Sequence, residues 1–237
     1  MMFNSSSPVG DRPGGSGPDT IVTPGGQSLS LDYFVGWGGP LVVQLAKRVF
    51  EIVGTDLTGL RVLDVGFGHG QMSCLFALLG AQVVAIDTHQ VTLPDAVAEA
   101  KRWGVSERIE FTPYSGDPGE IQQTDFDIAF TKSVLLLIPE LEVFLRALST
   151  KLRPQGQVAF IENGFHNPLN ILGRRIVHWM RRNQDGYYPG VQMYNWYLPA
   201  YLSPARINTI RKVFDVRNVL RGESGHWYLI HGINGPN

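Results

Sequence analysis

The segment 60–70, Leu-Arg-Val-Leu-Asp-Val-Gly-Phe-Gly-His-Gly, constrains this chain more than any other. A short apolar run reads as a buried strand that passes straight into three alternating glycines, and a helix follows from about 70–72. Glycine lets the backbone bend sharply and lets a ligand pass without a Cβ in its way. The free amides at the start of the following helix favour polar or anionic groups. The pattern reads as a nucleotide-cofactor turn, with a tight strand-to-helix connection as the plainer alternative. Two acids sharpen the first reading. Asp64 stands two residues before the first glycine, where its charge would face a cationic group. Asp87 ends the next apolar run, where a carboxylate can accept from both ribose hydroxyls.

Downstream, β-rich and helical runs alternate. Strands are expected at 61–65, 82–87, 108–112, 126–131 and 157–162, and helices at 40–53, 70–79, 94–103 and 140–152. This order predicts an α/β fold, a Rossmann-like doubly wound sheet that is mostly parallel and covered on both faces. The ending differs: Ser203 caps a helix that starts at Pro204, and two further runs, 214–221 and 226–233, flank Gly-Glu-Ser-Gly as an antiparallel terminal hairpin. At the other end, sixteen of the first thirty residues are Gly, Pro or Ser, so 1–28 is expected to be a flexible tail and 29–237 a single domain.

Composition narrows the function. A net charge of −1 lacks the positive field of a non-specific nucleic-acid binder, so no nucleic-acid partner is expected. Cys74 is the single cysteine, which excludes an intrachain disulfide and a multi-cysteine zinc site and fits a reducing, cytoplasmic location. No apolar run exceeds the six residues of 74–79, far shorter than a membrane span, and the first residues lack a secretory signal pattern. No pair of His or acidic residues has ligand spacing, so no metal is expected.

A dinucleotide fold would want glycine at position 71, which is Gln71, and its pyrophosphate would repel Asp64. The motif Asp64-x-Gly66-x-Gly68-x-Gly70, the acid Asp87, Phe126-Asp127-Ile128-Ala129-Phe130, Leu152-Arg153-Pro154-Gln155-Gly156 and the terminal hairpin together resemble the class I S-adenosylmethionine-dependent methyltransferases over about residues 40–234. The resemblance implies S-adenosylmethionine as cofactor and a small-molecule acceptor. Asp64 and the glycine loop would hold its methionine end, Asp87 its ribose and Asp117 its adenine amino group. Cofactor contacts are thereby expected at Asp64, Gly66, Phe67, Gly68, Gly70, Asp87, Thr88, Asp117 and Thr131. Asp117 reads equally as a turn residue within Ser-Gly-Asp-Pro.

Chemistry is expected where the strands at 126–131 and 157–162 end, because open parallel sheets bind ligands at their carboxyl ends. Methyl transfer from a sulfonium relies on positioning, plus a base where the acceptor must lose a proton. His166 is the candidate catalytic base, since an imidazole titrates near neutrality; packing the loop is the alternative. The stretch Thr131-Lys132-Ser133 lacks the Asn or Asp followed by Pro-Pro and an aromatic that marks base and amide methylation, so O-methylation of a lipid, glycan or secondary metabolite is favoured.

Residues 164–202 form an insertion that would shape the acceptor pocket. Within it, 168–182 sets Leu169, Leu172, Ile176, Trp179 and Met180 on one helical face and Arg174, Arg175, His178, Arg181 and Arg182 on the other. Such a stripe suits an anionic membrane surface, an anionic acceptor or plain solvent. The aromatics from Tyr187 to Tyr201 suit pocket walls or a small core of their own. Residues 32–39 read as a lid or a packed strap. A catalytically silent binding or regulatory subunit and a nicotinamide oxidoreductase are the rival functions.

Overall fold

In a computed structural model, residues 19–35, 40–164, 202–222 and 227–235 are described. The chain runs β1 (Thr20–Val22), β2 (Ser28–Ser30), α1 (Leu31–Val35), α2 (Pro40–Val53), β3 (Arg61–Val65), α3 (Gln71–Leu78), β4 (Gln82–Asp87), α4 (Leu93–Trp103), β5 (Ile109–Pro113), β6 (Phe126–Lys132), α5 (Leu141–Ser149), β7 (Leu152–Asn163), α6 (Pro204–Arg211), β8 (Phe214–Arg221) and β9 (Trp227–Asn234).

Seven strands form one sheet in the order β5-β4-β3-β6-β7-β9-β8. The pairs among β5, β4, β3, β6 and β7 are parallel, and β9 runs antiparallel to both β7 and β8. The Rossmann-like sheet with an antiparallel terminal hairpin is therefore as the sequence predicts. The order reverses between β3 and β6, and their carboxyl ends form the crevice where such sheets take ligands.

Successive residues of each inner strand bury into opposite layers, the period of two of a pleated strand. Val62, Ile128, Phe130, Ala159 and Ile161 pack with α1 to α4. Leu63, Val65, Ala129, Val158 and Phe160 pack beneath α5 and α6. Both faces are covered, so the strands read as nearly continuous apolar runs. The C-terminal strand is tied to the body by Asn234, whose side-chain amide donates to the carbonyls of Ser149, Leu152 and Arg153.

In the N-terminal region one reading changes and one of two alternatives is met. Residues 20–30 are not tail: β1 and β2 pair antiparallel, Ile21 and Leu29 enter the core, and Gly26 at φ +79° closes the turn. Two buried apolar side chains outweigh a turn composition of Thr-Pro-Gly-Gly. Helix α1 is a packed strap, with Leu31, Phe34 and Val35 buried. Tyr33 binds it to α4, donating to Glu99, which also accepts from the Trp103 indole at 2.7 Å, while Arg102 donates to the Tyr33 oxygen at 2.9 Å. Burial, then the Glu99 carboxylate, pushes the Tyr33 hydroxyl up to about 12.

Candidate functional site

Strand β3 ends in a loop whose glycines do three different jobs. Gly66, at φ +82°, donates its amide to Ile86 O at 2.7 Å, and a Cβ there would stand 2.3 Å from Val134 Cγ2. Gly68, at φ +54°, has open space where a Cβ would be, and its amide donates to Asp87 Oδ2 at 2.8 Å. Gly70, at φ +79°, precedes α3, and a Cβ there would meet Ala96 Cβ at 2.9 Å. Gly70 thus lets α3 pack on α4, and it is not among the residues lining the two cavities described next. The other Asp87 oxygen accepts from the His89 amide at 2.8 Å. An ionised carboxylate offers about four acceptor positions, so two remain for a ligand.

Two cavities meet over this loop. The larger, about 580 Å³, is lined by Gly66, Asp87, Thr88, His89, Tyr114, Asp117 and Lys132, and by the apolar wall Val134, Leu137, Ile138, Val143 and Phe144. Its volume is in the range of ordinary ligand sites. The smaller, about 210 Å³, is lined by Phe34, Val35, Asp64, Gly66, Phe67, Gly68, His69, Gln71, Met72, Phe130 and Lys132. Gly66 and Lys132 belong to both and mark the waist between them. Phe67 sets its ring edge-on to Phe111 at 5.0 Å. Asp117 does what both of its readings foresee: Oδ1 accepts from the Gly119 amide at 2.7 Å as a turn cap, and the residue lines the larger cavity.

The waist carries buried charge. Asp64 is 2% exposed and accepts from the Ser73 hydroxyl at 2.5 Å. Burial lifts its pKa to about 7, against the pull of Ser73. Glu162 near the end of β7 is also buried, and its Oε1 accepts from Thr131 Oγ1 at 3.0 Å and from the amides of Val134 and Leu135 at 3.1 Å each. Its Oε2 has no hydrogen-bond partner among the described residues, and burial lifts its pKa to about 7. From the other side Arg206 donates to the carbonyls of Leu135 and Ile138, the latter at 3.1 Å. Glu162 and Arg206 thereby clamp residues 133–138, which carry Val134, Leu137 and Ile138 into the larger cavity.

The structure gathers Asp64, Gly66, Phe67, Gly68, Asp87, Thr88 and Asp117 along one trough. Thr131 lies apart from them: fully buried, it spends its hydroxyl on Glu162 and is not among the residues lining either cavity. Its successor Lys132 holds the wall instead, because the strand alternation that turns 131 inward turns 132 to the waist. His69 lines the smaller cavity, exposed and 3.2 Å from Asp95. Sequence reasoning missed Lys132, Ser73, Glu162 and Arg206. Lys132 and Glu162 stand at the strand ends where ligands gather, and that position was the available signal. His166, the basic stripe of 168–182, the aromatics Tyr187 to Tyr201 and the glycines of 36–39 lie outside the described residues.

With that geometry in view, the chain's relatives follow. A family model described as a methyltransferase domain matches residues 63–160. A ubiquinone biosynthesis O-methyltransferase of Xanthomonas oryzae pv. oryzae is 36% identical over 106 residues, covering 44% of this chain and 43% of the relative. A ribosomal protein L11 methyltransferase of Methylococcus capsulatus is 36% identical over 131 residues, covering 55% and 42%. The chain thus spans less than half the length of these curated relatives. In shape it is similar to magnesium protoporphyrin IX methyltransferase from Synechocystis PCC 6803 with bound SAH, at a TM-score of 0.59, 16% identity and 82% coverage of both chains.

Proposed function

We propose that this chain, which carries a class I S-adenosylmethionine-dependent methyltransferase domain, transfers a methyl group from S-adenosylmethionine to a small-molecule acceptor, at oxygen. The observation that carries this reading is the continuous trough along the carboxyl ends of β3, β4 and β6, with a ribose-type acid at one end and a buried acid at the other. The residues present fit the cofactor. Asp87 keeps two acceptor positions for ribose hydroxyls, Gly68 leaves its flank open, and Asp117 lies across the larger cavity where an adenine amino group would need an acceptor. Asp64 offers its carboxylate to the α-ammonium group. When bound, the cofactor supplies an electrophilic methyl on a sulfonium.

The chain's own work is positional. The 133–138 clamp fixes the apolar wall, and the waist at Gly66 and Lys132 sets how the nucleoside and amino-acid ends are aligned, which is where an in-line displacement gains most. Transfer at oxygen rests on the Xanthomonas relative, whose name is that of an O-methyltransferase. His166 is proposed as the group that takes the acceptor's proton.

Titration calorimetry tests the first half: S-adenosylhomocysteine should bind and NAD should not, and NAD binding without S-adenosylhomocysteine binding would overturn the assignment. A methyl-transfer assay with small hydroxylated acceptors beside an L11-type protein tests the second. Transfer to the protein alone would contradict the small-molecule reading, and binding without any transfer would favour a silent subunit.

A further inference from the structure

Two charged side chains share one face of neighbouring strands at the carboxyl edge of the sheet: Asp64 on β3, which pairs with Phe130, and Lys132, two residues further along β6; Glu162 on β7 lies nearby on the opposite face, with Thr131. Asp64 and Glu162 are buried, and Lys132 is half-buried at the waist, lining both cavities. Desolvation pushes the Lys132 ammonium down while the Asp64 and Glu162 carboxylates pull it back up. As an ammonium beside the Asp64 carboxylate, the side chain has no lone pair to accept an acceptor's proton but can meet an anion.

S-adenosylmethionine carries one anion, the α-carboxylate, and it is joined to the same carbon as the ammonium group assigned to Asp64. Among the described residues lining the smaller cavity only Lys132 and His69 can be cationic, and the exposed His69 ring is turned to Asp95. Resting on the function proposed above, we propose that Lys132 binds the cofactor's α-carboxylate, so that Asp64 and Lys132 read the amino-acid end as a zwitterion from two adjacent strands. Charge-assisted hydrogen bonds of this kind are the strong ones, and a pair of opposite sign also fixes which way round the ligand lies.

The proposal predicts discrimination against a cofactor that lacks only the carboxylate. Binding of S-adenosylmethionine, decarboxylated S-adenosylmethionine and 5′-methylthioadenosine would be measured for the parent, Lys132→Met and Lys132→Arg, with thermal melts to verify folding. The parent should bind S-adenosylmethionine at least tenfold more tightly than its decarboxylated form. Lys132→Met should bind those two alike while holding 5′-methylthioadenosine as the parent does, and Lys132→Arg should restore most of the preference. Equal weakening of all three ligands in Lys132→Met would make Lys132 a structural strut and overturn the proposal. So would an unchanged preference, including the case in which turnover alone collapses and Lys132 acts on the acceptor's proton. A parent that binds none of the three ligands would remove the cofactor reading itself, and the proposal with it.

Discussion

The two sides of the trough are built differently. On the nucleoside side, the loops after β3, β4 and β5 present backbone amides, glycines and the acids Asp87 and Asp117, and Asp87, though only 8% exposed, sits among hydrogen bonds that leave it ready for more. At the waist and beyond, β3, β6 and β7 bring together Asp64, Lys132 and Glu162, charges withdrawn from water and dependent on one another. The first side recognises a neutral nucleoside by geometry that a short motif encodes. The second handles charge, and it takes residues nearly a hundred positions apart to do so. A buried charge is tolerated only when paired or hydrogen-bonded, so the second side should be the more fragile of the two.

That contrast breaks most visibly at Glu162. Glu162→Ala leaves the Thr131 hydroxyl and the amides of Val134 and Leu135 without their acceptor. Each stranded buried donor costs about 1–3 kcal/mol, so stability should fall by about 3 kcal/mol or more and Tm by ~10 °C. A melt within 2–3 °C of the parent, about the shift that 1 kcal/mol produces, would show that residues 133–138 hold themselves.

Gly66→Ala comes next, because it joins the two sides. Its φ of +82° disfavours any side chain, and the new Cβ would press on Val134. Left-handed strain of about 1–2 kcal/mol plus overpacking of about 1–3 kcal/mol should lower stability and abolish measurable cofactor binding. Gly66→Ala with Val134→Ala should recover the packing part alone. No recovery would mean that the backbone, not the contact, is limiting.

On the nucleoside side, Asp87→Ala should weaken S-adenosylhomocysteine by at least tenfold, since a hydrogen bond to a charged group is worth about 1.5–3 kcal/mol. Because the Gly68 and His89 amides also lose their acceptor, the loss should extend to 5′-methylthioadenosine. Affinity unchanged for both ligands would reduce Asp87 to a strand-end residue.

The smallest effects are those of pH, and they run in opposite directions. Asp64, at about 7, must be ionised to meet an ammonium group, so S-adenosylhomocysteine affinity should fall by up to about tenfold from pH 7 to pH 6, with 5′-methylthioadenosine unaffected. Glu162 is lifted to about 7 from an ordinary 4.5, so the folded state holds its proton over that window while the unfolded state releases it. Its contribution to stability is therefore present below about 4.5 and lost as pH rises towards 7. Glu162→Gln, which does not titrate, should gain on the parent between pH 5 and pH 7. A difference that stays flat across that range would show that Glu162 is ionised throughout.

The difference between the sides also explains what the sequence made legible. The glycine motif, Asp87 and the period-two strands are local patterns, and each maps onto its element within a residue or two except β7, which begins five residues before the expected 157. The hairpin at 20–30 was hidden because only Ile21 and Leu29 signal burial amid turn residues. Lys132 and Glu162 carry no motif: their meaning comes from β6 lying between β3 and β7, a fact of sheet order that no local window contains. Thr131 and Lys132 show the same limit, since a pleated strand sends neighbours to opposite faces and only the second lines the waist.

The most direct measurement is a crystal structure of the protein with S-adenosylhomocysteine. The account predicts adenine beside Tyr114 and Asp117, both ribose hydroxyls on Asp87, and the amino-acid end crossing the waist at Gly66 to lie between Asp64 and Lys132. A nucleoside bound away from Asp87, or an amino-acid end that leaves the Asp64 and Lys132 pair untouched, would contradict it.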